Sequence, residues 1–185
     1  MMPRCGRSWR SANHLAPEHD VNAICPMNHS SILFVCNDNL CRSPTADVVL
    51  RQKLADEGLE PWVDVESAGT HDFAVAESAD IRAQKHATRR GYDMSALRAR
   101  LLLLSDFERF AMIVAMDDAT MQTLQLRCPP KHRPKLRYFT AFLGAPAGED
   151  VPDPFYGRER DFEQVLDQIE AGCDAILATL QQTED

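Results

Sequence analysis

The stretch SILFVCNDNLCRS, residues 31–43, followed at once by Pro44-Thr45-Ala46, decides the reading of the chain. Its apolar opening, ending in Val35, reads as a short buried strand, with Cys36 where the strand stops. Six residues later comes Arg42, and Ser43-Pro44 predicts an amphipathic helix. The serine serves as N-cap, the proline falls in the first turn, and Ala46, Val49, Leu50 and Leu54 form a core stripe. The loop from Cys36 to Arg42 thus joins a strand to a helix N-terminus, where backbone N–H groups lack partners and the dipole favours an anion. Such a place favours a cysteine as thiolate. A guanidinium at the far end can grip two oxygens of a tetrahedral oxyanion.

The chain has 185 residues, 44% hydrophobic and 26% charged, enough for one core and one domain. Its net charge of −8 argues against general nucleic-acid or anionic-membrane binding, so a phosphate site would be a local positive pocket. No apolar run reaches the length of a membrane span. The cysteines at 5, 25, 36, 41, 128 and 173 make no C-x-x-C pair or Cys/His knuckle. That usage predicts a reducing cytoplasm. Residues 1–29 carry no periodicity and no signal-peptide core, and read as a disordered extension. An Arg-rich, acid-poor opening faintly resembles a transit peptide, and Met27 could serve as a start. The folded domain is expected over 30–185.

Further along, the first helix ends near Gly58, and Trp62–Glu66 alternates as a second strand. Ser67-Ala68-Gly69-Thr70 reads as a turn of small residues, and 71–78 as a loop carrying Phe73. A helix is expected from Asp80 to Arg90. Ser105-Asp106-Phe107-Glu108 has the form of a capping box. Ala111–Met116 is a continuous apolar run suited to a buried parallel strand, with Asp117 at its end and a helix to about Leu126. Leu136–Phe139 is a short strand candidate, and 144–157 a Gly/Pro-rich loop. Phe162, Val165, Leu166, Ile169, Cys173, Ile176, Leu177 and Leu180 make one apolar face of a last helix. Strands alternating with helices predict a doubly wound α/β fold: a four-stranded, mainly parallel sheet with helices on both faces and its site at the strand C-terminal ends.

With these residues in view, the chain resembles the low-molecular-weight protein tyrosine phosphatase family over residues 31–181. The resemblance rests on C-x5-R-S-P at Cys36–Pro44 and the distant Asp153-Pro154-Phe155-Tyr156. SAGT at 67–70, AMD at 115–117 and the terminal helix follow in order. C-x5-R alone is a weak signal; the combination is specific. The resemblance implies Cys36 as nucleophile, Arg42 as oxyanion clamp and Asp153 as general acid and then base. It also implies Ser43 hydrogen-bonding the thiolate, and Asn39 bracing the loop with help from Ser67. The phosphate loop is Asn37, Asp38, Asn39, Leu40 and Cys41, and Phe73, Phe155 and Tyr156 wall a cleft for an aromatic ring. No metal and no cofactor are implied. The expected partner is a phosphotyrosine protein, a bacterial tyrosine kinase among the candidates, and the expected state is a monomer or weak dimer.

Each residue also has an ordinary reading. Cys36 could be a small buried hydrophobe, Arg42 an exposed first-turn arginine, Asp153 a turn former before proline, and the aromatics simple packing. Cys41 could shield Cys36 through a reversible disulfide, as the family implies, or fill the loop interior.

Three positions depart from the family pattern. Asp38 stands where glycine is usual, which predicts a left-handed backbone and, if the carboxylate points inward, weakened anion binding. Leu97 replaces a histidine behind the loop, leaving Asn39 short of a partner. Ala76 also replaces a glycine. Other readings of the loop are arsenate reductase, which needs more cysteines after Cys41, and protein-arginine phosphatase, which has threonine where Leu40 stands. A third is a phosphate-binding relative with blunted turnover.

Overall fold

The computed structural model describes residues 29–145 and 149–182. The expected N-terminal extension lies outside them apart from His29. Four strands, β1 (Ser30–Cys36), β2 (Val63–Gly69), β3 (Met112–Ala115) and β4 (Leu136–Tyr138), form one sheet in the order β2-β1-β3-β4. Every pairing is parallel. Alternation along β1 sends Ile32, Phe34 and Cys36 to one face, and Leu33 and Val35 to the other. Both sets are buried, which is why the strand reads as an unbroken apolar run.

Helices α1 (Arg42–Asp56) and α5 (Glu159–Gln182) cover the first face. The short α3 (Asp106–Arg109) and α4 (Asp118–Arg127) cover the second, through Phe107, Met121 and Leu124. Helix α2 (Ile81–Arg89) packs on α5 beside the loop that leaves β1. The α5 face is as its spacing predicts, with Phe162, Val165, Leu166, Ile169, Cys173 and Ile176 buried, and Leu177 and Leu180 half-buried. From β1 the chain moves outward first to β2, then to β3 and β4 on the other side. The order therefore reverses between β1 and β3, the crevice where open parallel sheets take ligands.

Local readings change in four places. Helix α1 starts at Arg42, its N-cap position is Cys41, and no side chain caps it, so Ser43 is not the cap. Nor is its first half amphipathic, because every residue from Arg42 to Leu50 is buried between sheet, α2 and α5. Ser67-Ala68-Gly69 is not a turn but the end of β2, drawn into the sheet by pairing with Phe34, Val35 and Cys36. Ser105 makes no capping hydrogen bond; instead the Asp106 carboxylate accepts from the Leu103 amide and from Arg100.

Candidate active site

The loop after β1 is held from outside by backbone. The amides of Thr70 and His71 donate to the carbonyls of Cys36 and Asn37, each at 3.0 Å, and Asp80 N–H donates to the Leu40 carbonyl at 2.9 Å. Gly69, paired with Cys36, makes this approach possible. A Cβ there would stand 2.8 Å from the Asn37 carbonyl oxygen and 3.0 Å from the Asp38 carbonyl carbon. With its carbonyls tied outward, the loop leaves its amides free. Among the described residues no acceptor is paired with any backbone N–H from Asn37 to Arg42.

Cys36 lies at the floor of this ring, 3% exposed. Its Sγ is 3.0 Å from Ser43 Oγ, which also accepts from Asn39 Nδ2 at 2.9 Å. That contact explains why Ser43 caps nothing: its hydroxyl is turned to the sulfur. Asn39 takes the left-handed conformation (φ 57°), whereas Asp38 does not, so the strain expected at Asp38 is absent. The Asn39 carboxamide oxygen accepts from the Arg100 amide at 3.0 Å, a backbone group filling the role that Leu97 cannot. Ser67 gives Asn39 no support; its hydroxyl bears on the buried Asp47 carboxylate. Cys41 is buried beside a cavity of about 10 Å³ that His86 also lines. Burial, helped by Asp80, Cys36 and Asp153, pushes the Cys41 thiol far up, so it stays protonated.

Arg42 closes the ring. Its Nη1 donates to Asp117 Oδ2 at 2.5 Å and to the Val151 carbonyl at 3.1 Å, and its Nη2 to Asp153 Oδ2 at 2.8 Å. Nε is buried and has no partner. An unpaired buried N–H of this kind costs about 1–3 kcal/mol, which marks a donor kept for a ligand. Burial works against the charge on Arg42, yet Cys36, Asp153 and Asp117 together hold it above its ordinary range. Burial likewise opposes ionisation of Asp117, but hydrogen bonds from Thr120 and the Arg42 charge lower its pKa below the usual carboxylate value.

Asp153, held by Arg42 Nη2 through Oδ2, also accepts at Oδ1 from the Phe155 amide at 3.1 Å. The structure thus brings Cys36, Arg42, Ser43, Asn39 and Asp153 together. The three aromatics are exposed: Phe73 is 84% exposed and stacked on His71, Tyr156 is 96% exposed, and Phe155, in edge contact with Tyr156, is 37% exposed. Asp38 has one carboxylate oxygen buried without a partner and the other 3.4 Å from Asn37 Nδ2. Asp117 and Gly69 stand in stretches that the sequence singles out, but without a role of their own there. Asp117 follows β3, which borders the reversal point, and Gly69 ends β2 in register with Cys36; these positions were the available signal. Among the described residues no three His, Cys, Asp or Glu side chains are grouped to hold a metal, and no helix is long and apolar enough to cross a membrane.

Sheet order and loop define a doubly wound α/β protein with a ring of unpaired backbone amides beside a cysteine. The model of the family described as low molecular weight phosphotyrosine protein phosphatase matches residues 31–185, and the chain belongs to that family, whose members are enzymes acting on phosphotyrosine. It is 35% identical over 154 residues to a low molecular weight protein-tyrosine-phosphatase of Streptomyces coelicolor, covering 82% of this chain and 93% of that relative. It is 33% identical over 150 residues to the low molecular weight phosphotyrosine protein phosphatase of Homo sapiens, covering 80% and 93%. Among solved structures it matches a protein tyrosine phosphatase of Entamoeba histolytica with Hepes in its active site. That match has TM-score 0.79 and 33% identity, and spans 84% of this chain and 99% of the other.

Proposed function

We propose that this chain hydrolyses phosphotyrosine in proteins through a phosphocysteine intermediate. The observation that carries the reading is the ring of unpaired amides from Asn37 to Arg42 closing over Cys36, with the Arg42 Nε equally unpaired. A phosphate dianion entering the ring takes those amides and the Arg42 Nε and Nη2, and so displaces Asp153 from Nη2. The Cys36 thiolate attacks phosphorus. The displaced Asp153 carboxylate takes up a proton from solvent; the S–P bond then forms as the P–O bond to the phenol breaks, and Asp153 delivers that proton to the departing oxygen. In the second half, Asp153 accepts a proton from water, the water oxygen attacks phosphorus, and the thiolate leaves toward Ser43 Oγ. Phosphate then departs, Asp153 gives up its proton to solvent, and the carboxylate returns to Arg42. Phe73, Phe155 and Tyr156, all exposed, serve the phenol ring.

Asp38 supports one other reading, a phosphate-binding relative with weak turnover, because its partly buried carboxylate lies within the anion loop. Substrates on the first reading are phosphotyrosine proteins of a reducing cytoplasm, a bacterial tyrosine kinase among them. The test is p-nitrophenyl phosphate hydrolysis by wild type, Cys36→Ser and Asp38→Asn. Turnover in wild type, lost in Cys36→Ser, is expected. Phosphate binding without wild-type turnover, relieved by Asp38→Asn, selects the second reading. Turnover unchanged in Cys36→Ser removes the nucleophile assignment.

A further inference from the structure

Asp153 is a useful acid only while its loop returns it to one place. Val151 pins the loop before it, through the Met116 carbonyl and Arg42, but the partners of Asp153 itself do not fix the chain after it. Those partners are the exchangeable Arg42 and the amide of Phe155, two residues away. What anchors Phe155 comes from α2. Arg82 Nη2 donates to the Phe155 carbonyl at 2.8 Å, and the guanidinium lies 5.5 Å from the Phe155 ring centroid and 4.8 Å from that of Phe162. Both backbone polar groups of Phe155 are therefore engaged: its N–H by Asp153 and its C=O by Arg82.

Arg82 is itself aimed by Asp80. Nε and Nη2 donate to the two Asp80 carboxylate oxygens at 3.0 and 2.7 Å. The same carboxylate caps α2, accepting from the Arg82 amide at 2.8 Å, and the Asp80 N–H holds the Leu40 carbonyl of the anion loop. One short path, Leu40–Asp80–Arg82–Phe155, thus ties the anion loop to the acid-bearing loop. A planar fork suits it because Arg82 must bond a carboxylate and a carbonyl in its plane while stacking on rings across its face.

We infer that Arg82 is a positioning residue: by clamping the Phe155 carbonyl it holds Asp153 where it can protonate the leaving group. The inference rests on the phosphatase reading above and on Asp153 as its acid. The ordinary reading is a half-exposed ion pair with its own cap residue, which contributes little to stability and nothing selective to chemistry. The two separate on leaving groups. A phenolate that departs easily needs little help from an acid; one that departs poorly needs much.

The experiment compares kcat/KM for p-nitrophenyl phosphate and phenyl phosphate in wild type, Arg82→Ala, Arg82→Lys, Asp153→Asn and the Arg82→Ala/Asp153→Asn double variant. Arg82→Ala is expected to lose about tenfold toward phenyl phosphate and about twofold or less toward the nitrophenyl ester. Arg82→Lys, keeping the charge without the fork, is expected to fall between, and it carries the test should the alanine variant not fold. In the Asp153→Asn background Arg82→Ala should cost nothing further, since both act through one carboxylate. Equal losses on both esters, no loss, or a loss that adds to that of Asp153→Asn overturns the inference while leaving the phosphatase reading intact. A wild type inactive on both esters, or an Asp153→Asn variant with unchanged leaving-group preference, overturns the underlying reading and this inference with it.

Discussion

Arg42 holds Asp117 and Asp153 on its two terminal nitrogens, at 2.5 and 2.8 Å, and the two carboxylates are not equivalent. The Asp117 side chain is 14% exposed and caps α4 through the Thr120 amide; the Asp153 side chain is 42% exposed and lies on a loop. The first pair fixes the guanidinium. The second occupies the nitrogen that, on the proposed mechanism, an incoming phosphate takes.

Asp153→Asn removes that competition. Inorganic phosphate, acting as a competitive inhibitor, is expected to bind several-fold more tightly to the variant, because an amide gives up Arg42 more readily than a carboxylate does. Turnover of phenyl phosphate should fall by about 10² or more, the usual contribution of a general acid. Inhibition constants from steady-state kinetics check both. Weaker phosphate binding in the variant would mean that the carboxylate does not contest the arginine.

Two carboxylates, Asp47 buried and Asp117 half-buried, shape the stability of this region with opposite sign. The folded-state pKa of Asp117 is lowered, so its contribution is complete above the unfolded carboxylate value and is lost as pH falls through the depressed one. The Asp47 pKa is raised, chiefly by burial and against the pull of Arg51 and Ser67. The fold therefore favours its protonated form, and stability is lost as pH rises from the ordinary carboxylate value through the raised one. Asp117→Asn is expected to cost about 2 kcal/mol at pH 7, a gap that narrows in acid. Asp47→Asn should be neutral or stabilising at pH 7, and should approach wild type below the raised value. Urea unfolding across pH measures both. A large loss in Asp47→Asn at pH 7 would show that the Arg51 contact outweighs burial.

The parts of the site set by nearby residues were legible in the sequence. The apolar run of β1, the C-x5-R spacing and the α5 stripe each declare themselves within a few turns of chain. What escaped depends on which distant backbone arrives beside which side chain. A serine before proline at a helix start is ordinarily a cap, yet Ser43 meets a sulfur delivered by β1 and turns to it instead. Leu97 looked like a missing hydrogen bond for Asn39, but the chain two residues beyond Arg98 brings the Arg100 amide to the same oxygen. Asp38 looked like a strained glycine position, while the left-handed residue is its neighbour Asn39. None of these exchanges leaves a periodic trace.

Ala76, noted in the sequence only as standing where glycine is usual, is left-handed in the structure. It has φ 70°, is exposed, and is pinned by its amide to the Ala99 carbonyl at 2.8 Å. An L side chain there costs about 1–2 kcal/mol, part of which returns as a stiffer unfolded chain. Ala76→Gly is therefore expected to stabilise by about 0.5 kcal/mol and raise the melting midpoint by about 1–2 °C. Activity should not change. Scanning calorimetry with a parallel aryl phosphate assay checks it, and a lower midpoint would show that the backbone is not strained at this position.

Gly69→Ala reports on the ring of amides itself. The added Cβ would stand 2.8 Å from the Asn37 oxygen, 3.0 Å from the Asp38 carbonyl carbon and 3.2 Å from the Asn39 nitrogen, all backbone atoms with no rotamer to give. Either β2 slides or the loop lifts. The strand is held by seven register pairs with β1, whereas the amides of the loop have no acceptors, so the loop is the part that yields. A lift of about 1 Å at the anion site costs roughly 10² in rate, while overpacking at a single contact costs about 1–3 kcal/mol of stability. The variant should thus stay folded at 25 °C, lose most of its turnover, and bind inorganic phosphate more weakly in proportion. Kinetics beside a thermal melt separate the outcomes. Full activity in a destabilised Gly69→Ala would mean that β2 had moved and that the loop keeps its shape without this glycine.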